Sequence, residues 1–184
     1  MLIGDKLVSV PKSGGRKLVK SRIGGVTPHQ VYWLVMTAVL VRRPKADELD
    51  LVRAVVQHVV DEIYGGVRGP TPVPIDEEDW RLAWIAAING KIVGMVLTRE
   101  EWLSDLWVLR ESRGRGVGKR LLAQGETEIA GRGHRTFRLP VVKFNALAIS
   151  FYLQYGWRVE REFPNERLPV TMLEMVKSRS GQQE

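Results

Sequence analysis

Leu106-Trp107-Val108-Leu109-Arg110-Glu111-Ser112-Arg113-Gly114-Arg115-Gly116-Val117-Gly118-Lys119-Arg120-Leu121-Leu122 is the stretch on which the reading of this chain turns. The apolar residues up to Leu109 suit a strand, predicted over residues 105–109. Val117, Leu121, Leu122 and Ile129 recur at the spacing of one helix face, with the helix ending near Gly131 and Gly133. Between strand and helix lies a turn rich in glycine. Small residues at Gly116 and Gly118 let the backbone approach an anion, and the unpaired N–H groups of a helix's first turn point outward at it. Arg113, Arg115, Lys119 and Arg120 add four cations to the roughly half unit of positive charge at a helix start. A phosphate site is the expectation, ahead of a plain turn.

Two familiar phosphate motifs do not fit. A Walker loop needs a hydroxyl residue after its Gly-Lys pair, and Arg120 stands there. A dinucleotide fingerprint needs Gly-x-Gly-x-x-Gly in the first βαβ unit, whereas this turn has tighter spacing and lies well downstream.

Working outward, Trp84–Ile88 and Ile92–Leu97 flank Asn89-Gly90, the pair best suited to a type I′ turn, and so predict a hairpin. Upstream, residues 38–42 read as a strand closed by Pro44. Leu49, Val52, Val55, Val56, Val59, Val60 and Ile63 mark a helix with Asp47 at its cap, ended by Gly65 and Gly66. Downstream, 137–142 reads as a strand, 146–155 as a helix, and 157–163 and 171–176 as closing strands. The outcome is one α/β domain over residues 37–177, with a basic extension over 1–36 and a short tail over 178–184.

Arg113 to Gly118, placed after a strand ending at Val108, resembles the R-x-x-G-x-G acyl-CoA signature of the GNAT N-acetyltransferases. Asn145-Ala146 through Phe151-Tyr152 to Tyr155-Gly156-Trp157 resembles the same family's N-x-x-A-x-x-L/F-Y-x-x-x-G-F segment. The resemblance implies a mixed central β-sheet with a splayed pair of strands, flanked by helices. It implies acetyl-CoA as donor and a primary amine as acceptor. It assigns the backbone of Leu106, Trp107 and Val108 to the pantetheine arm, and the turn from Arg113 through Gly114, Arg115, Gly116, Val117 and Gly118 to Lys119 to the pyrophosphate. Asn145 would touch the cofactor, and Tyr152 would protonate the departing thiolate.

A phenol of pKa about 10 can supply a proton to a thiolate whose conjugate acid lies near 8.5, and a modest lowering would match the two better. The base is harder to place. Positions where family members carry glutamate hold Pro140 and Ser104 here, which leaves Asp105, with Glu100 and Glu101 as further carboxylates before it. Asp76, Glu77, Glu78 and Asp79 beside Trp80 form an acidic stretch that could draw a cationic acceptor by charge and cation–π contact, although an acidic cap before the next strand is the favoured reading.

Composition narrows the function further. The chain has 184 residues, 27% of them charged, and no cysteine, which excludes disulfides, zinc-thiolate sites and thiol nucleophiles. That absence fits a cytoplasmic setting and direct acetyl transfer. The three histidines, His29, His58 and His134, have no metal spacing, so no metal is expected. The net charge of +7 sits mainly in residues 1–35, so nucleic acid is not the expected partner, and a homodimer fits the reading. The apolar run from Val31 to Val41 is too short to span a bilayer. Met36 would serve equally as an initiator. A catalytically silent acyl-CoA-binding module, docking on nucleic acid through its basic tail, is the alternative reading.

Overall fold

In the computed structural model the described residues are 38–68 and 80–179, so the basic extension and the acidic stretch Asp76 to Asp79 lie outside them. The strands are β1 (Leu40–Arg42), β2 (Trp84–Ile88), β3 (Lys91–Arg99), β4 (Trp102–Val108), β5 (Thr136–Val142), β6 (Arg158–Pro164) and β7 (Thr171–Ser178). The α-helices are α1 (Leu49–Arg68), α2 (Val117–Gly131) and α3 (Ala146–Gln154). The strands form one mixed sheet in the order β1-β2-β3-β4-β5-β7-β6.

Each face of the sheet buries its own core. Val52, Val55, Val56 and Val60 of α1 pack on Ile85, Ile92, Met95 and Leu97. On the opposite face Val117, Leu121, Leu122 and Ile129 of α2 and Tyr152 of α3 pack on Val96, Leu103, Leu139, Leu173 and Met175. Buried at about 25 cal/mol per Å² of apolar surface, these two layers supply most of the driving force for the fold.

The hairpin forms as expected: Asn89 and Gly90 have φ of 52° and 77°, the two left-handed residues of a type I′ turn. The first helix departs from expectation at both ends. Asp47 does not cap it; a 3-10 turn over Ala46–Glu48 precedes it, and Glu48 does the fastening, accepting from the Lys45 N–H at 2.8 Å and from both Arg42 guanidinium nitrogens at 2.7 Å. Nor do Gly65 and Gly66 end it, since the helix runs on to Arg68. The glycine cost of about 1 kcal/mol per residue falls on the last turn, after the buried valines upstream have already fixed the helix.

Close approach explains two glycines. A Cβ on Gly94 would lie 2.6 Å from the Trp107 carbonyl oxygen on the neighbouring strand, and one on Gly125 would lie 3.1 Å from Leu103 and Val96, where α2 rests on the sheet. Gly94→Ala is therefore expected to destabilise the protein by about 1–3 kcal/mol, seen as a melting point several degrees lower. An unchanged melting curve would refute the close β3–β4 contact.

Candidate active site

Between the end of β4 and the start of α2 the chain makes the glycine turn. Gly114 and Gly116 have φ of 73° and 77°, a region that side-chain-bearing residues rarely adopt, and a Cβ at either would meet nothing within 4 Å. Both face open space. Gly116 is the N-cap of α2, and the first intrahelical bond runs from Arg120 N–H to Gly116 O at 3.2 Å. The amides of Val117, Gly118 and Lys119 therefore precede the helix's own ladder.

Two residues of this turn also have partners in the scaffold. Gly118 is small for a packing reason, because a Cβ there would lie 3.3 Å from the Phe151 ring of α3. Arg113 is held by three partners within the chain. Its N–H donates to Arg110 O at 3.2 Å, its Nε donates to Val108 O at 3.0 Å, and its two terminal nitrogens reach the Glu62 oxygens at 2.8 and 3.0 Å. Arg120 donates to Val39 O at 3.3 Å. Arg115 and Lys119 are exposed beside these amides.

Beside the turn the sheet opens. β4 and β5 pair in parallel at Trp102 and Arg138, with Arg138 N–H donating to Glu101 O at 2.9 Å, and no further ladder pairing joins them toward Val108 and Val142. Leu109 N–H donates to Val93 O at 2.9 Å, so by alternation Trp107 and Asp105 also direct their backbone groups at β3. Leu106 and Val108 direct theirs into the opening. The Trp107 backbone groups face β3.

A bulge sets the side chains. Leu97 pairs with Asp105 but Thr98 pairs with Leu103, so Ser104 is an extra residue on β4. Leu103 consequently packs with the α2 core, whereas Trp107 packs with the α1 core. Asp105 comes from within the strand rather than from a loop, and accepts from Trp107 Nε1 at 2.9 Å. Glu100 lies at the far end of β4, exposed, within 3.4 Å of His134.

Two tyrosines meet the Asp105 charge. Tyr152 of α3 is 6% exposed, packed against Phe151 and Trp157 at ring separations of 5.4 and 6.0 Å. Burial, then the Asp105 carboxylate, pushes its phenol well above the ordinary value, opposite to the lowering that would match a thiolate. Tyr64, which sequence reasoning missed, approaches from the C-terminal part of α1. Burial and Asp105 raise its phenol as well. Its ring stands edge-on to Phe144, centroids 6.1 Å apart, joining α1 to the segment just after β5. Asn145 serves the scaffold, because as N-cap of α3 its Oδ1 accepts from Ala148 N–H at 3.1 Å.

The sequence profile of the acetyltransferase (GNAT) family matches residues 54–157, more than half of the chain and all of this site. The chain belongs to the GNAT acetyltransferase family. Its fold is shared by many solved members. A GCN5-related N-acetyltransferase from Rhodopseudomonas palustris superposes with a TM-score of 0.63 at 18% identity, covering 78% of this chain and 98% of that one. The ribosomal-protein-alanine N-acetyltransferase from Brucella melitensis gives 0.62 at 18% identity, over 76% and 99%. The PaiA N-acetyltransferase from Thermoplasma acidophilum, solved in complex with coenzyme A, gives 0.58 at 18%, over 77% and 99%. No curated protein matches the chain.

As a GNAT acetyltransferase the protein is an acyltransferase enzyme, and its family uses acetyl-CoA. The residues present fit that donor: an amide cradle with open space outside Gly114 and Gly116, and a strand edge at Leu106 and Val108 without a ladder partner. Among the described residues no group of His, Asp or Glu is placed to hold a metal, and no helix is long and apolar enough to cross a membrane.

Proposed function

We propose that this acetyltransferase moves an acetyl group directly from acetyl-CoA to a primary amine, with the pyrophosphate on the amides of Gly114 to Lys119 and the donor's arm between β4 and β5. The observation that carries the reading is the coincidence of three features at one end of β4. The amide cradle is open, the sheet is parted, and Asp105 acts on two tyrosines there.

Acetyl transfer needs a neutral nitrogen. An alkylamine of pKa about 10.4 is neutral in only roughly one molecule in 10³ near pH 7, so the amine reacts as that minor neutral form. A carboxylate helps by receiving the nitrogen's proton as the N–C bond forms and positive charge on nitrogen makes that proton acidic, then releasing it to water. Asp105 supplies that group. The amine nitrogen forms a bond to the acetyl carbonyl carbon, and the carbon–sulfur bond breaks. Tyr152, kept as a neutral phenol, donates a hydrogen bond to the sulfur as negative charge develops on it. With the phenol less acidic than the thiol, complete transfer of its proton is uphill, so the thiolate takes its final proton from solvent. The absence of cysteine from the sequence supports attack without an acyl-enzyme.

Tyr64, Trp107 and Leu168 pack on one cluster on the α1 face, and Phe144 closes over Tyr64. Together with Asp105 these walls suit an ammonium carried on an apolar or aromatic body, such as a small amine or a chain terminus. Release of free thiol from acetyl-CoA across a panel of amines tests both the activity and the acceptor class. Asp105→Asn is expected to lower kcat/KM with the best acceptor by about 10²-fold at pH 7. A panel without turnover would overturn the proposal, and an unaltered rate in Asp105→Asn would remove that residue from it.

A further inference from the structure

We propose that Glu62 is a positioning residue that couples the donor site to the acceptor side, so that filling the glycine turn orders the end of α1 that carries Tyr64. The inference rests on the reading that the turn holds the coenzyme's pyrophosphate.

One guanidinium joins three elements. Arg113 belongs to the turn, its Nε holds the Val108 carbonyl at 3.0 Å on the open edge of β4, and its fork grips both Glu62 oxygens at 2.8 and 3.0 Å on α1. Arg110 adds a contact to Glu62 at 2.8 Å. The Glu62 side chain is only 16% exposed, and the Arg113 hydrogen bonds, foremost, hold its carboxyl below the usual range. A planar, bidentate pair fixes direction as well as distance, which a single contact to a lysine would not. If Arg113 swung to the phosphates, this mostly enclosed carboxylate would keep Arg110 alone. The geometry therefore favours Arg113 staying in place while the coenzyme contacts the amides that follow it and the strand edge that precedes it.

The consequence falls on α1. Its C-terminal part carries Gly65 and Gly66, neither with any neighbour within 4 Å of a Cβ position, so local packing restrains it weakly. Tyr64 sits two residues beyond Glu62 and packs edge-on against Phe144, on the side where the acceptor is proposed to lie. Rigidity gained by the turn on binding reaches Tyr64 through the Glu62–Arg113 pair.

Hydrogen–deuterium exchange on the full chain, with coenzyme A as the probe, tests this without knowledge of the acceptor. In the wild type, coenzyme A is expected to slow exchange severalfold both in the turn at 110–119 and in α1 at 58–68. In Glu62→Gln the turn should still be protected and the helix not. Arg113→Lys, which keeps the charge and loses the fork, should behave like Glu62→Gln, and Arg110→Gln, which leaves the fork intact, should behave like wild type. Equal helix protection in wild type and Glu62→Gln, no helix protection in the wild type beside a protected turn, or loss of it in Arg110→Gln would each overturn the coupling while leaving the donor site standing. A turn left unprotected in the wild type would refute the donor site itself, and the coupling with it.

Discussion

Gly116→Glu is expected to weaken acetyl-CoA binding by at least about 10²-fold, read by calorimetry on a protein whose circular dichroism remains that of the wild type. Two effects combine. At φ of 77° any side chain carries strain of about 1–2 kcal/mol, and the Cβ points into open space, where nothing lies within 4 Å. The glutamate would thus extend into the cradle, and at 4 Å its charge would oppose a phosphate charge by about 4 kcal/mol at the effective dielectric near a protein surface. Gly116→Asn separates the two causes, since asparagine tolerates the left-handed region and brings bulk without charge. A smaller loss is expected there. Retention of full affinity by Gly116→Glu would place the coenzyme elsewhere.

Removing the Tyr152 hydroxyl should act on the chemical step. Tyr152→Phe is expected to lower kcat by about 10²-fold, the lower end of the usual range for a positioned proton donor, with little change in the KM for acetyl-CoA. The ring stays, so its contacts with Phe151 and Trp157 stay, and the melting temperature should move little. The raised phenol also fixes the pH behaviour. Tyr152 acts while protonated, and because burial and Asp105 hold it above the ordinary value of 10, its ionisation should produce no loss of rate between pH 7 and pH 10. A rate unaffected by the substitution, or an alkaline fall near pH 9 that vanishes in Tyr152→Phe, would contradict this role.

Much of the scaffold was legible in local chemistry. Asn89-Gly90 announced its own turn, the valines of α1 and the leucines of α2 announced their buried faces, and Arg113 to Gly118 with Asn145 to Trp157 announced the family. What escaped depended on residues distant in the chain. Nothing in Leu103-Ser104-Asp105 marks Ser104 as a bulge, because the bulge is defined by β3, and yet it decides that Asp105 and Trp107 face α1. Tyr64 lay next to two glycines that read as the end of a helix, whereas α1 runs on past them to Arg68. Arg113 has the composition of a phosphate ligand, but its partner Glu62 stands 51 residues upstream. Asn145 reads as a cofactor contact from the motif and as a helix cap from the structure, where its side-chain oxygen holds Ala148 N–H.

The most direct measurement is a crystal structure of the protein grown with saturating acetyl-CoA. The expected result places pyrophosphate oxygens within hydrogen-bond distance of amides between Gly114 and Lys119, with the pantetheine arm against the Leu106 and Val108 edge and the thioester near the Tyr152 hydroxyl. Density for the coenzyme at another surface, or a fully liganded crystal in which those amides contact only water, would contradict the account.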